Sequence, residues 1–229
     1  MPAFPFRSAF PFRVVAFDLD GTLVDTAPDL TAALNHALAM IGRPPVAEDA
    51  VRHMVGHGVR ALLTKGLAAT GEMTPTLVDE GVAPFLAYYQ AHIADHTRGF
   101  AGLEDALDGL VARGVTLAIC TNKPEGLARE LIARLGWETR FAALVGGDTL
   151  AVRKPDPAPL REAIARVGGG RAAFVGDSIV DIETARAAGL PSVAVSFGFA
   201  DRPVATLGAD ALIDHYDELV GALERLGQQ

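Results

Sequence analysis

Phe17-Asp18-Leu19-Asp20-Gly21-Thr22-Leu23-Val24-Asp25-Thr26 decides how this chain is read, because its character changes at Asp18. Ahead of it, Val14-Val15-Ala16-Phe17 is a short apolar run, the pattern of a strand buried on both faces. Asp18 and Asp20 stand two apart at its end, so extended backbone would turn both to one side and Leu19 away. Gly21 lets the chain bend sharply straight afterwards. Two carboxylates held that close repel, which raises one pKa above the ordinary aspartate value and suits one nucleophile beside one proton carrier.

Downstream, Pro28-Asp29 opens a helical stretch that runs to Met40, with Leu30, Ala33, Leu34, Ala37 and Leu38 at helical spacing. Gly42-Arg43-Pro44-Pro45 breaks it, and two further helical stretches are expected at 57–69 and 76–95. No strand is expected between Thr26 and Gly99. After Phe100-Ala101-Gly102 the rhythm becomes helix 103–112, strand 115–120, helix 124–135, strand 142–145, helix 158–167, strand 172–175, helix 179–187, strand 192–195, strand 211–213 and helix 216–226. Repeated strand–helix units imply a parallel sheet covered on both faces, and the strand at 14–17 must join it. The fold class expected is therefore α/β, a doubly wound parallel-sheet core (1–25 and 100–229) with an inserted α-helical cap domain (26–99).

Ligands bind such sheets outside the carboxyl ends of the strands, which makes the polar residues there informative. Besides Asp18 and Asp20 they are Thr121-Asn122-Lys123, Lys154, and Asp177 with Asp181. A third carboxylate on one rim, with no histidine or cysteine beside it, is a hard oxygen site suited to Mg²⁺. Asp181 also sits where a helix start favours negative charge. The chain's three lysines are Lys65, Lys123 and Lys154, and two of them lie in these loops. Pro155 restricts the backbone of Lys154, and Asp156 caps a helix with Pro157 and Pro159 in its first turn. Pro124 opens a helix, so N–H groups around Asn122 and Lys123 would face an anion. Carboxylate nucleophile, divalent ion, lysine, threonine hydroxyl and helix-terminus donors together suit phosphoryl transfer.

Composition agrees with a folded enzyme core. Of 229 residues, 50% are hydrophobic and 21% charged, which excludes a disordered or collagen-like chain despite 24 Gly and 14 Pro. A net charge of -8, from 20 basic and 28 acidic residues, argues against nucleic acid or anionic membrane as partner. A single cysteine, Cys120, makes no internal disulfide and suits a reducing compartment. No apolar run nears the ~20 residues of a membrane span. Pro2, Pro5, Pro11, Arg7 and Arg13 argue against a signal peptide, so a cytoplasmic location is expected. Ala3-Phe4-Pro5-Phe6-Arg7 recurs as Ala9-Phe10-Pro11-Phe12-Arg13, and reads as a short tail ahead of the first strand.

The stretch from Phe17 to Thr26 resembles the first motif of the haloacid dehalogenase superfamily. Thr121 resembles its second motif, Lys154-Pro155 its third, and Gly176-Asp177-Ser178 with Asp181 its fourth, over the chain from about residue 14 to the end. The resemblance implies that Asp18 attacks phosphorus to form an aspartyl-phosphate, while Asp20 protonates the leaving oxygen and then activates water. It implies Mg²⁺ held by Asp18, the Asp20 backbone carbonyl and Asp177, with Thr121, Asn122 and Lys154 on the phosphoryl oxygens and Asp181 and Ser178 in support. Dehalogenating members lack the second aspartate; phosphonate-cleaving members lack it too and use a cap lysine. Here Asp20 is present and Lys65 is the lone cap lysine, so hydrolysis of a phosphate ester is implied. Val55-Gly56-His57-Gly58-Val59-Arg60-Ala61, Asp25-Thr26-Ala27-Pro28-Asp29-Leu30 and Gly146-Gly147-Asp148 are similar to the phosphoglycolate phosphatase subfamily. Gly56, His57, Gly58 and Arg60 are thereby candidates for substrate choice in the cap, with Arg60 facing a carboxylate. The partner expected is a small-molecule phosphate ester, above all 2-phosphoglycolate. Another sugar or amino-sugar phosphate, a sugar-phosphate mutase and a non-catalytic phosphate-binding module are the alternatives, and both monomer and homodimer stay open.

Several patterns point elsewhere and fail. Gly56-x-Gly58-x-x-Ala61 matches a relaxed dinucleotide fingerprint but follows no apolar strand. A cysteine-phosphatase C-x5-R pattern from Cys120 finds Gly126 where arginine is needed, which leaves Cys120 as a buried strand residue. His92 and His96 share a helix face without a third soft ligand. No Walker loop occurs.

Overall fold

The computed structural model describes residues 10–200 and 202–228. In chain order the strands are β1 (Val14–Phe17), β2 (Val24–Asp25), β3 (Arg98–Gly99), β4 (Thr116–Cys120), β5 (Ala143–Val145), β6 (Ala172–Gly176), β7 (Ser192–Val195) and β8 (Ala211–Ile213). The helices are α1 (Ala27–Met40), α2 (Glu48–Arg52), α3 (Val59–Thr70), α4 (Pro75–Ala91), α5 (Leu103–Val111), α6 (Glu125–Arg134), α7 (Ala158–Arg166), α8 (Ile179–Ala188) and α9 (Leu219–Leu226).

Six strands form one parallel sheet in the order β5-β4-β1-β6-β7-β8. All four residues of β1 are buried, as their apolar run requires, and β1 lies between β4 and β6. The period of two divides each central strand between two cores. Val15, Phe17, Leu117, Ile119, Ala173 and Val175 pack in one cluster with side chains of α5, α6 and α9. Ala16, Ala118, Cys120 and Phe174 pack in the other with Leu160, Ala163 and Ala185 of α7 and α8. Alanines fill much of this second face, so α7 and α8 lie close on the sheet. A larger side chain at Ala118 would overpack it by about 1–3 kcal/mol, whereas burying Phe17 opposite contributes about 1.5–3 kcal/mol.

The chain leaves the sheet through β2 and returns through β3, which pair antiparallel at Val24–Gly99 and Asp25–Arg98. Between them α1 packs on α2, α3 and α4. Asp29, buried in the first turn of α1, accepts hydrogen bonds from His96 N, Thr97 N and Thr97 Oγ1, the last at 2.7 Å. One carboxylate thus fastens the outgoing segment to the returning one.

The strand at 98–99 and the short helix at 48–52 were not anticipated between Thr26 and Gly99. Two residues carry no alternation, and five carry little more than one helical turn. The stretch expected at 57–69 begins at Val59, because Gly58 takes φ +86 outside the helix. Residues 216–218 form a 3-10 turn ahead of α9. The first copy of the N-terminal pentapeptide lies outside the described residues. The part of the second copy that is described, residues 10–13, is no tail: Phe12 is buried in the core, and the Arg171 guanidinium lies 5.2 Å from its ring. No helix among the described residues is long and apolar enough to cross a membrane.

Candidate active site

The strand order reverses at β1, which has β4 and β5 on one side and β6, β7 and β8 on the other, and the loops after β1, β4 and β6 meet there, the place where an open α/β sheet presents ligand sites. Asp18 N still donates to Val175 O at 2.9 Å, so the ladder holds the nucleophile candidate at its base. The buried Asp18 carboxylate lies 2.9 Å from Lys154 Nζ. Lys154 also donates to Asp181 Oδ1 at 2.6 Å. Asp181 in turn accepts from Ser178 N at 3.1 Å and Ser178 Oγ at 2.6 Å through its other oxygen. It therefore supports the lysine and caps α8 at once. Asp177 accepts from Thr22 Oγ1 at 3.0 Å and Phe199 N at 2.7 Å. Gly21, at φ +83, matters twice: the turn needs that conformation, and a Cβ there would collide with the Asp177 carboxylate.

Carboxylate oxygens of Asp18, Asp177 and Asp181 lie within 4.8 Å of one another, all three buried. Burial is the largest cause pushing the Asp18 carboxyl up to about 6, with the charges of Asp181 and Asp20 adding and Lys154 opposing. This corrects the expectation that repulsion within the Asp18–Asp20 pair would set the shift; loss of hydration outweighs it. Asp177 is raised well above the ordinary value, again by burial first and then by Asp181 and Asp18. Burial works against the Lys154 charge, but Asp18 and Asp181 outweigh it and hold the ammonium above its ordinary pKa. An oxygen-only set that is short of positive charge fits a divalent cation.

Asp20 takes a different partner. Lys123 Nζ donates to its two oxygens at 2.9 and 3.3 Å, and to Tyr89 Oη of α4 at 2.6 Å. The same ammonium stands 4.5 Å from the Tyr89 ring centre. Burial opposes the Lys123 charge, yet Asp20 and Tyr89 keep its pKa raised, while burial lifts Tyr89 to about 12. Thr121 Oγ1 accepts from Lys123 N at 3.2 Å, so that N–H is committed within the loop rather than turned outward as expected. Asn122 is also committed: its Nδ2 donates to Gly56 O at 3.3 Å and Lys154 O at 3.2 Å, tying the β4 loop to the helical insert.

Above these residues is a cavity of ≈ 50 Å³, lined by Asp18, Asp20, Thr121, Asn122 and Lys123 from the sheet and by Leu62, Phe85 and Tyr89 from the insert. Gly56 and Gly58 line it as well. His57 is exposed, and Arg60 is drawn outward to Asp79 at 2.5 Å with 62% of each side chain exposed. Neither is among the lining residues. Lys65 donates to the carbonyls of His53 and Met54 at the end of α2. His92 pairs with Asp95 at 2.7 Å and not with His96. Cys120 is buried, which pushes its thiol up to about 12 and removes it as a nucleophile.

The Lys123 side chain and Tyr89 are the members that sequence reasoning left unassigned. The lysine was visible in its loop, but nothing in the order of residues says which carboxylate it meets. Tyr89 stands four after Phe85 and reads as ordinary helix packing.

A family model for haloacid dehalogenase-like hydrolases matches residues 12–189. The chain belongs to the haloacid dehalogenase-like hydrolases. It is 43% identical over 210 residues to a phosphoglycolate phosphatase of Agrobacterium fabrum, covering 90% of both chains. To one of Caulobacter vibrioides it is 46% identical over 209 residues, covering 88% of this chain and 86% of the other. Among solved structures, a predicted phosphoglycolate phosphatase of Haemophilus somnus superposes with TM-score 0.86 at 29% identity, over 92% of this chain and 97% of that one. The dehalogenase-like core thus accounts for the sheet order and for the carboxylates at its switch point.

Proposed function

We propose that the protein hydrolyses 2-phosphoglycolate to glycolate and inorganic phosphate, with Mg²⁺ as cofactor. The observation that carries this reading is the buried Asp18–Lys154 pair at 2.9 Å, set beside Asp177 and Asp181 at the sheet's switch point. Relatives above 40% identity that are phosphoglycolate phosphatases support the substrate.

Asp18 attacks phosphorus, and the bond from phosphorus to the glycolate oxygen breaks. Asp20 gives its proton to that oxygen, which leaves an aspartyl-phosphate at Asp18. Water then attacks phosphorus, Asp20 takes its proton, and the Asp18 carboxylate is released with phosphate. Lys154 and Thr121 hold the phosphoryl oxygens, where positive charge and donors stabilise the transition state. Asp181 keeps Lys154 aimed. Asp18, Asp177 and the backbone carbonyl of Asp20 would hold Mg²⁺, which when bound supplies further positive charge to the phosphoryl oxygens. The insert 26–99 acts as a cap: it roofs the cavity with apolar side chains and excludes water during attack.

Phosphate release from 2-phosphoglycolate, glucose 6-phosphate and p-nitrophenyl phosphate, with Mg²⁺ and with EDTA, tests the assignment. Turnover should vanish in EDTA, and kcat/KM for 2-phosphoglycolate should exceed that for the sugar phosphate by roughly 100-fold or more. Equal rates on the two esters would remove the substrate assignment.

A further inference from the structure

We infer that Lys123 is the specificity-determining residue for the substrate's carboxylate, with Tyr89 of α4 positioning it; this rests on the phosphoglycolate reading. An anionic group remote from phosphorus needs its own cation, and among the described residues lining the cavity Lys123 is the one basic side chain. Lys154 lies at the phosphoryl end, committed to Asp18 and Asp181. Arg60 is outside, on Asp79, and Arg52 is bound to Asp25 and Glu48.

The distances suit the role. Asp20 serves the ester oxygen, and Lys123 Nζ stands 2.9 Å from Asp20. In 2-phosphoglycolate one CH₂ separates that oxygen from the carboxylate carbon, so a carboxylate oxygen falls about 3 Å from it by covalent geometry. An ammonium touching Asp20 therefore reaches the carboxylate by a small side-chain rotation. Its three N–H donors meet Tyr89 Oη and the two Asp20 oxygens, and the longest of these bonds, 3.3 Å to the second Asp20 oxygen, is the one a ligand carboxylate would replace. Leu30, Leu62 and Phe85 form an apolar roof, which strengthens a charge pair beneath it. Because Tyr89 belongs to the insert, the ammonium is aimed only when the insert is seated.

The test compares wild type, Lys123→Met, Lys123→Arg and Tyr89→Phe on 2-phosphoglycolate and on ethyl phosphate, which lacks the carboxylate. Loss of support for Asp20 slows both esters by a common factor; loss of carboxylate recognition changes their ratio. Lys123→Met should cut the kcat/KM preference for 2-phosphoglycolate roughly 30-fold or more, mostly through KM, with Lys123→Arg restoring part of it and Tyr89→Phe giving a smaller loss. Calorimetry with 3-phosphonopropionate and propylphosphonate, in the presence of Mg²⁺, reads binding without chemistry, and the same ratio should collapse in Lys123→Met. An unchanged ratio in both assays, with a cooperative thermal transition retained, would overturn the inference and leave phosphoglycolate hydrolysis standing. Absence of any wild-type preference for the carboxylate-bearing ester would overturn both.

Discussion

Asp18 is subject to opposing demands: burial drives its carboxyl towards the neutral form, while Lys154 keeps it ionised. With a pKa of about 6 in the metal-free protein, it is mostly a carboxylate at pH 7. Asp18→Asn keeps the shape and removes the attacking charge, so turnover should fall by roughly 10³-fold or more. Quench-flow with mass spectrometry should show the wild-type adduct on Asp18 and none in the variant. Asp20→Asn removes the proton carrier instead. It should cost more on 2-phosphoglycolate than on p-nitrophenyl phosphate, whose leaving group needs little protonation, and comparing the two kcat values checks this. At this scale much of the site was legible. Asp18, Asp20, Thr121, Lys154, Asp177 and Asp181 stand out because polar residues directly after buried strands have few structural reasons to be there. Arg60 was the misleading one. Its charge and its place two residues after Gly58 suggested the cavity, but the first turn of α3 directs its side chain outward to Asp79.

Among the elements, the β2–β3 ribbon depends least on local propensity. Each strand has two residues, and their register is held from outside by Asp29. Asp29→Ala would leave the buried N–H and hydroxyl donors of Thr97 unpaired, at a cost of about 3 kcal/mol. Urea denaturation should show the unfolding free energy fall by that amount, read as a lower midpoint at unchanged m. The KM for 2-phosphoglycolate should rise as the insert seats less firmly, whereas a surface variant such as Asp79→Ala should leave stability within about 0.5 kcal/mol. The six long-range strands were legible because their apolar runs are bounded by Gly, Pro and Asp. The ribbon was not, since hydrogen bonds to a carboxylate some 70 residues away leave no periodic trace.

For the molecule as a whole, the acidic cluster costs stability as folded. Asp18 and Asp177 have raised pKa values, so the native state holds protons more tightly than the unfolded chain does. The cluster's contribution to metal-free stability is therefore most favourable below the ordinary aspartate range and weakens as pH rises through about 6. A bound divalent cation reverses that penalty. Calorimetry of EDTA-treated protein should show Mg²⁺ raising Tm by roughly 5 °C at pH 7.5 and by clearly less at pH 5.5. Asp177→Asn should raise the metal-free Tm and lose most of the Mg²⁺ increment. An equal increment at both pH values would contradict the assignment of these carboxylates as the cation's ligands.

What the order of residues determined alone is the alternation of strands and helices, the central place of the 14–17 strand, and which loops carry the polar groups. Those follow from hydrophobic periodicity and from turn chemistry, both of which act over a few neighbouring residues. Only the tertiary structure decided that Lys154 serves Asp18 while Lys123 serves Asp20, that Tyr89 reaches the site from the insert, and that Arg60 does not. Pairings between charges depend on distance and on burial. Both are properties of the packed chain, set when segments more than a hundred residues apart, such as Asp20 and Lys123, are brought within 3 Å.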